Sequence, residues 1–151
     1  MRTLAALVPA AIEGVVRDVL LAAPAAGEAL ARIADHAGCE MVVAPPAELL
    51  AAAAARLKEP RVFVLRAGMA PQAGFIGELA DLLAYRPDAP ALLRAEPRSL
   101  LTRLAPGLAR PAACVVPRAA LQAGGAAPEV AAIARRLSAP VVLKARMIGV
   151  G

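Results

Sequence analysis

Apolar positions along the chain fall in short blocks whose spacing alternates between strand and helix. Val15–Ala22 is rich in branched and leucine side chains, broken only by Arg17 and Asp18, and reads as a strand ending near Ala22. Pro24–Gly27 is a turn. Across Glu28–Ala37 the apolar residues Leu30, Ile33, Ala34 and Ala37 recur at helical spacing, and Gly38 marks the stop. Met41–Val43 is a short strand closed by Pro45 and Pro46. Ala47–Leu57 contains an unbroken alanine run and is a helix by propensity, ended by Pro60. Val62–Leu65 is continuously apolar, the pattern of a strand covered on both faces.

The second half keeps the alternation with shorter pieces. A loop opens at Ala67–Gly68, and Pro71–Ala84 is a helix carrying Phe75, Leu79, Leu82 and Leu83. Ala91–Arg94 is a strand, Ser99–Leu104 a short helix capped by Ser99, and Ala113–Val116 another strand. Arg118–Ala123 is a brief helix stopped at Gly124–Gly125. Pro128–Leu137 is a helix with Pro128 in its first turn and Glu129 near its positive end. Pro140–Arg146 holds the last strand. At the other end, Arg2–Leu7 is a short helix closed by Pro9. This order predicts an α/β fold: one domain over residues 1–151, a three-layer α/β/α sandwich around a mostly parallel sheet.

Composition narrows the class. Alanine accounts for 41 of 151 residues, 60% of the chain is apolar, and the aromatics are Phe63, Phe75 and Tyr85 alone. A core must therefore be built from Ala, Leu and Val, and disorder is excluded by the high hydrophobicity. Two cysteines, Cys39 and Cys114, do not make a disulfide scaffold. The net charge is +5, with arginine supplying 15 of the 17 basic residues. These are scattered, densest at Arg94, Arg98 and Arg103 and at Arg135–Arg136, and the aromatic platforms of a nucleic-acid surface are missing. No nucleic-acid partner is expected. Leu4–Ile12 after Arg2 has the outline of a leader, but Pro9 interrupts it and Glu13, Arg17 and Asp18 follow. No window is apolar enough for a membrane span. The expectation is a cytoplasmic chain.

Ligands of open α/β sheets sit beyond the C-terminal strand ends, which here directs attention to Ala22–Glu28, Val43–Glu48 and Leu65–Gln72. The first loop offers backbone donors and Glu28. The last has no carboxylate with which to hold Mg²⁺ or Mn²⁺ against a diphosphate, but Arg66 is placed to meet a phosphate. His36 and Cys39 have a metal-like offset, yet Gly38 between them puts one on a helix end and the other on a strand start. No GxGxxG or GxxxxGK[ST] loop is present, and neither Ser99 nor Ser138 lies in a nucleophile elbow. Glu129 opens a helix and is the remaining candidate base. Neither a metal nor a cofactor is predicted.

The order of these segments resembles the family 2 glycosyltransferases. Arg17–Ala37, RDVLLAAPAAGEALARIADHA, is similar to the stretch in which a strand ends in Asp-Gly-Gly-Ser-Thr-Asp and a helix follows. Gly38–Val43 resembles the next strand. Pro60–Phe75, PRVFVLRAGMAPQAGF, resembles the strand leading to the metal-binding acids and the helix after it. Arg110–Gly125 resembles the acceptor-side strand and helix, and Pro128–Arg146 the Glu-Asp helix with its Arg-Arg-Leu ending.

The resemblance implies a GT-A nucleotide-diphospho-sugar transferase fold with an altered site. The base-contacting Asp falls on Ala23 and the later Asp of that motif on Glu28. The metal-binding acids fall around Ala67–Met69 and are lost. The Glu-Asp pair falls on Glu129 and Val130, so one acid survives. Family members begin with a strand that here would precede Met1. Its absence exposes backbone groups in its two neighbours, to be resolved by closure of the sheet, by a second copy or protein partner covering the edge, or by a start upstream. The reading is a catalytically degenerate glycosyltransferase-like protein with a binding, regulatory or scaffold role. Two alternatives stand beside it. One is an active metal-independent transferase, with Glu129 as base and Arg66 on the departing diphosphate, using Glu28 on the donor side. The other is an unrelated α/β module binding protein or RNA.

Overall fold

The computed structural model describes residues 2–97, 99–123 and 128–150. Among them, helices and strands alternate as α1 (Arg2–Ile12), β1 (Leu20–Ala23), α2 (Glu28–Ala37), β2 (Glu40–Val43), α3 (Leu49–Arg56) and β3 (Arg61–Leu65). They continue as β4 (Met69–Pro71), α4 (Phe75–Tyr85), β5 (Ala91–Arg94), α5 (Leu100–Leu104) and, after a short 3₁₀ turn, β6 (Pro111–Pro117). The chain then gives α6 (Arg118–Gln122), α7 (Val130–Arg135), β7 (Val141–Val142) and β8 (Met147–Gly149). Gly124–Gly125, the expected stop after α6, lies outside the described residues.

The strands form three groups rather than one continuous sheet. A four-stranded sheet runs in the order β3-β6-β5-β7, β1 pairs with β2, and β4 pairs with β8. The α/β class holds, but the mostly parallel sheet does not. β6 is antiparallel to both β3 and β5, and only β1·β2 and β5·β7 are parallel pairs. The segment between β5 and β6 holds the five-residue α5 and a 3₁₀ turn. It folds as a small cap, closed by a reciprocal Ser99–Thr102 capping box and tied to β5 by the Arg94 guanidinium, which donates to the carbonyls of Gly107 and Ala109 at 2.6 and 2.7 Å.

The central strand β6 is covered on both faces. Ala113 and Val115 pack with Ala91, Leu93 and the α4 residues Phe75, Leu79 and Leu82. Cys114 and Val116 face the other way, onto Ala54 of α3, Leu121 of α6 and Val130 and Ile133 of α7. Alanine has a use here: Ala54 is fully buried, and its single methyl group permits close packing of the helix.

Four of the departures from the pattern-based expectation have a local reason. α1 passes through Pro9 instead of stopping before it. The carbonyl that Pro9 cannot bond belongs to Ala5, on the exposed side of the helix where water reaches it, while Leu7 and Ala10 anchor the other side. β1 covers only Leu20–Ala23 because its partner β2 is four residues long, and the N–H groups of Val15 and Val16 both bond the Ala10 carbonyl instead. The β4·β8 ribbon was not anticipated; three residues are too few to show a period of two. The last strand is cut to Val141–Val142 because the Glu78 carboxylate accepts from the N–H groups of Lys144, at 2.6 Å, and Ala145, at 3.2 Å, interrupting the pairing until Met147 bridges Ala95 just past β5.

Removing that carboxylate leaves two backbone donors without their partner. Glu78→Ala is expected to lower unfolding free energy by about 1–3 kcal/mol. Leu93→Ala, fully buried in β5, is expected to lower it by about 2–5 kcal/mol, and the exposed Leu104→Ala to change it by less than about 0.5 kcal/mol. Urea unfolding followed by circular dichroism measures all three.

Candidate functional site

The strand-end residues are dispersed. Glu28 is the exposed first residue of α2, after a Gly27 N-cap. Arg66 directly follows β3, is exposed, and uses its carbonyl to accept from the Met69 N–H. Glu129 is the exposed N-cap of α7 in extended backbone, φ −89° and ψ 131°, and its side chain makes no capping bond. Among the described residues these three side chains do not contact one another, and none lines the large cavity described below.

The cysteines and the histidine have local roles. His36 Nδ1–H donates to the Arg32 carbonyl one turn back, at 2.7 Å. Gly38 ends α2 in the left-handed region, φ 64°, and so separates His36 from Cys39. Burial pushes the Cys39 thiol up modestly and that of Cys114, enclosed between β5, β6 and the helices, up to about 12. Among the described residues no group of three His, Cys, Asp or Glu side chains is placed to hold a metal. No helix there is long and apolar enough to cross a membrane.

The dominant concavity lies within the sheet layer, not at the strand ends. A cavity of about 670 Å³ separates β1 from β3. Its walls come from both helical layers: Leu79 and Leu83 of α4 on one side, Leu50 and Ala53 of α3 on the other. Leu4 and Leu7 of α1, Leu30 and Ile33 of α2 and Leu121 of α6 add to the lining. One end is bridged by Arg17, ahead of β1, and Glu59, ahead of β3, paired at 3.3 Å. At the other end Thr3 Oγ1 accepts from the Gly68 N–H, just beyond β3, at 2.9 Å. α1 and the segment after it thus run along the cavity from the end of β3 to its beginning. The space is a slot between two strands that start at the same end.

Hydrogen-bond phase shows which backbone groups face it. The Arg118 N–H bonds the Pro60 carbonyl, so in the antiparallel β3·β6 ladder Val62 and Val64 point toward β6, and Arg61, Phe63 and Leu65 point away from it. The Ala44 N–H bonds the Ala23 carbonyl, so in the parallel β1·β2 pair Leu21 and Ala23 face β2, and Leu20 and Ala22 face the slot. The N–H and C=O groups of these five slot-facing residues have no backbone partner among the described residues. Charge is confined to the end where the strands begin, at Arg17, Asp18, Glu59 and Arg61. There the Arg61 guanidinium donates to the Ala89 carbonyl. Its Nε and Nη1 are covered and without partner, and burial lowers its pKa against the opposing effect of Asp88.

The continuous apolar run Val62–Leu65 calls for cover on both faces of the strand and says nothing of its edges. Its residues are only half-buried, whereas Ala113–Val116 beside it are buried throughout. Thr3 and Arg61 were not anticipated, because nothing in their local sequence distinguishes a side chain beside a sheet gap from one on an ordinary surface.

Thiol reactivity checks the placement of the two cysteines. At about pH 8 the native chain is expected to take up one equivalent of a thiol reagent, at Cys39, with Cys114 reacting only after denaturation because so little of it is thiolate and none is accessible. Peptide mapping of the alkylated protein reads this directly.

No protein-family model matches the chain, and no curated protein or solved structure matches it.

Proposed function

We propose that this chain is a non-catalytic, glycosyltransferase-like protein whose role is binding, as a regulator or scaffold for a partner. The observation that carries the reading is the location and character of its large cavity: a mostly apolar slot flanked by unpaired strand edges, whose acids, Asp18 and Glu59, lie only at the end where the strands begin. The segment order that resembles the family 2 glycosyltransferases supports the family part of the reading. The loss of acids from the loops after β1 and β3 supports the non-catalytic part.

Glycosyl transfer asks for a base within hydrogen-bond reach of the acceptor hydroxyl and for positive charge on the departing diphosphate. Glu129 and Arg66 are the residues nearest to those roles by sequence, and they share neither a contact nor a cavity. A partner that occupies the slot needs neither.

Calorimetric titration with UDP-glucose and GDP-mannose, each with and without Mn²⁺, is expected to give no binding heat at millimolar ligand. Saturable binding with release of nucleoside diphosphate, lost in Glu129→Gln, would overturn the non-catalytic reading.

A further inference from the structure

We infer that the slot between β1 and β3 receives an extended, apolar segment of a partner polypeptide, which completes the sheet as a strand between them. The inference deepens the binding role proposed above by naming the chemistry of the partner.

The occupant is defined by two properties of the slot that act together. The first is the pair of hydrogen-bonding edges. Leu20 and Ala22 on one side, and Arg61, Phe63 and Leu65 on the other, present N–H and C=O groups inward with no backbone partner among the described residues. An acyl chain or other hydrocarbon would cover these groups and leave them unsatisfied, which is costly for each buried donor and acceptor. An extended backbone bonds both edges at once. The second property is the lining. Side chains of successive strand residues point to opposite faces, and the slot is apolar toward α1 and α4 and toward α3 alike. Both faces of the incoming strand must therefore be apolar, unlike the alternating pattern of a segment added to an outer, half-solvated edge.

Length follows from the edges. β3 is five residues long, so the matching segment is about five residues, or about 17 Å. Charges flanking that segment are tolerated where the strands begin, because Arg17, Asp18, Glu59 and Arg61 lie there. The slot is also held open: α1 is pinned to Gly68 at one end, and Arg17 meets Glu59 at the other.

The test uses the full chain and a synthetic peptide with the core Val-Ile-Val-Leu-Val between lysine pairs. Two further probes are the same peptide N-methylated at alternate core amides, and laurate. Amide resonances are followed by two-dimensional NMR. The parent peptide is expected to bind saturably and to shift the amides of Leu20, Ala22, Arg61, Phe63 and Leu65, with N-methylation weakening binding tenfold or more. No shift at those amides at millimolar peptide overturns the inference. So does equal binding of the N-methylated peptide, and so does occupation of the slot by laurate but not by peptide. Failure of the peptide leaves the non-catalytic reading intact, whereas nucleotide-sugar binding overturns that reading without touching this one.

Discussion

A backbone N–H or C=O taken out of water must be given a partner, and the arrangement of this fold turns on the one line where its sheet does not supply them. β3 pairs along its length with β6 on one side, β6 lies between β3 and β5, β5 lies between β6 and β7, and β1 has β2. Between β1 and β3 the ladder stops on both sides and a cavity takes its place. A long, flat, apolar edge is a hazard for aggregation unless something covers it. Here two such edges line the same space, and α1 lies along it, anchored by Thr3 to Gly68. The helix shields the slot from one side without supplying a single strand bond to it.

Composition and architecture meet at this point. A chain with three aromatic residues packs by close approach of small side chains rather than by bulk. Ala53 and Ala54 are buried on α3, which packs against α6 and over β1 and β2. Small side chains also leave the slot unfilled: Ala22 and Ala53 on its walls are too short to close it. The large cavity is apolar along most of its length and sits in the sheet layer.

Much of the fold was legible from residue pattern. The strands Met41–Val43, Val62–Leu65, Ala91–Arg94 and Ala113–Val116 each lie within an observed strand, and Gly38 and Ser99 mark helix ends as their chemistry requires. Strand direction was not legible, because an antiparallel return through a short cap and a parallel return through a helix differ in the geometry of the connection, not in the strands. The β4·β8 ribbon and the early end of β7 depend on distant groups, the latter on a carboxylate 66 residues away in sequence. Of the candidate site, the apolar run of VFVL, which calls for cover on both faces of the strand, was legible. Which of its amides face the gap was not, since that follows from the Arg118–Pro60 bond, which sets the phase of the ladder.

The central claim is that β3 presents alternate amides to an open slot. Residue-resolved hydrogen exchange of the chain alone tests it most directly. Val62 and Val64, bonded to β6, are expected to exchange slowly, and Arg61, Phe63 and Leu65 to exchange faster than either, in strict alternation along the strand. Uniform protection across Arg61–Leu65 would mean that β1 and β3 close on each other in solution, and would contradict the slot.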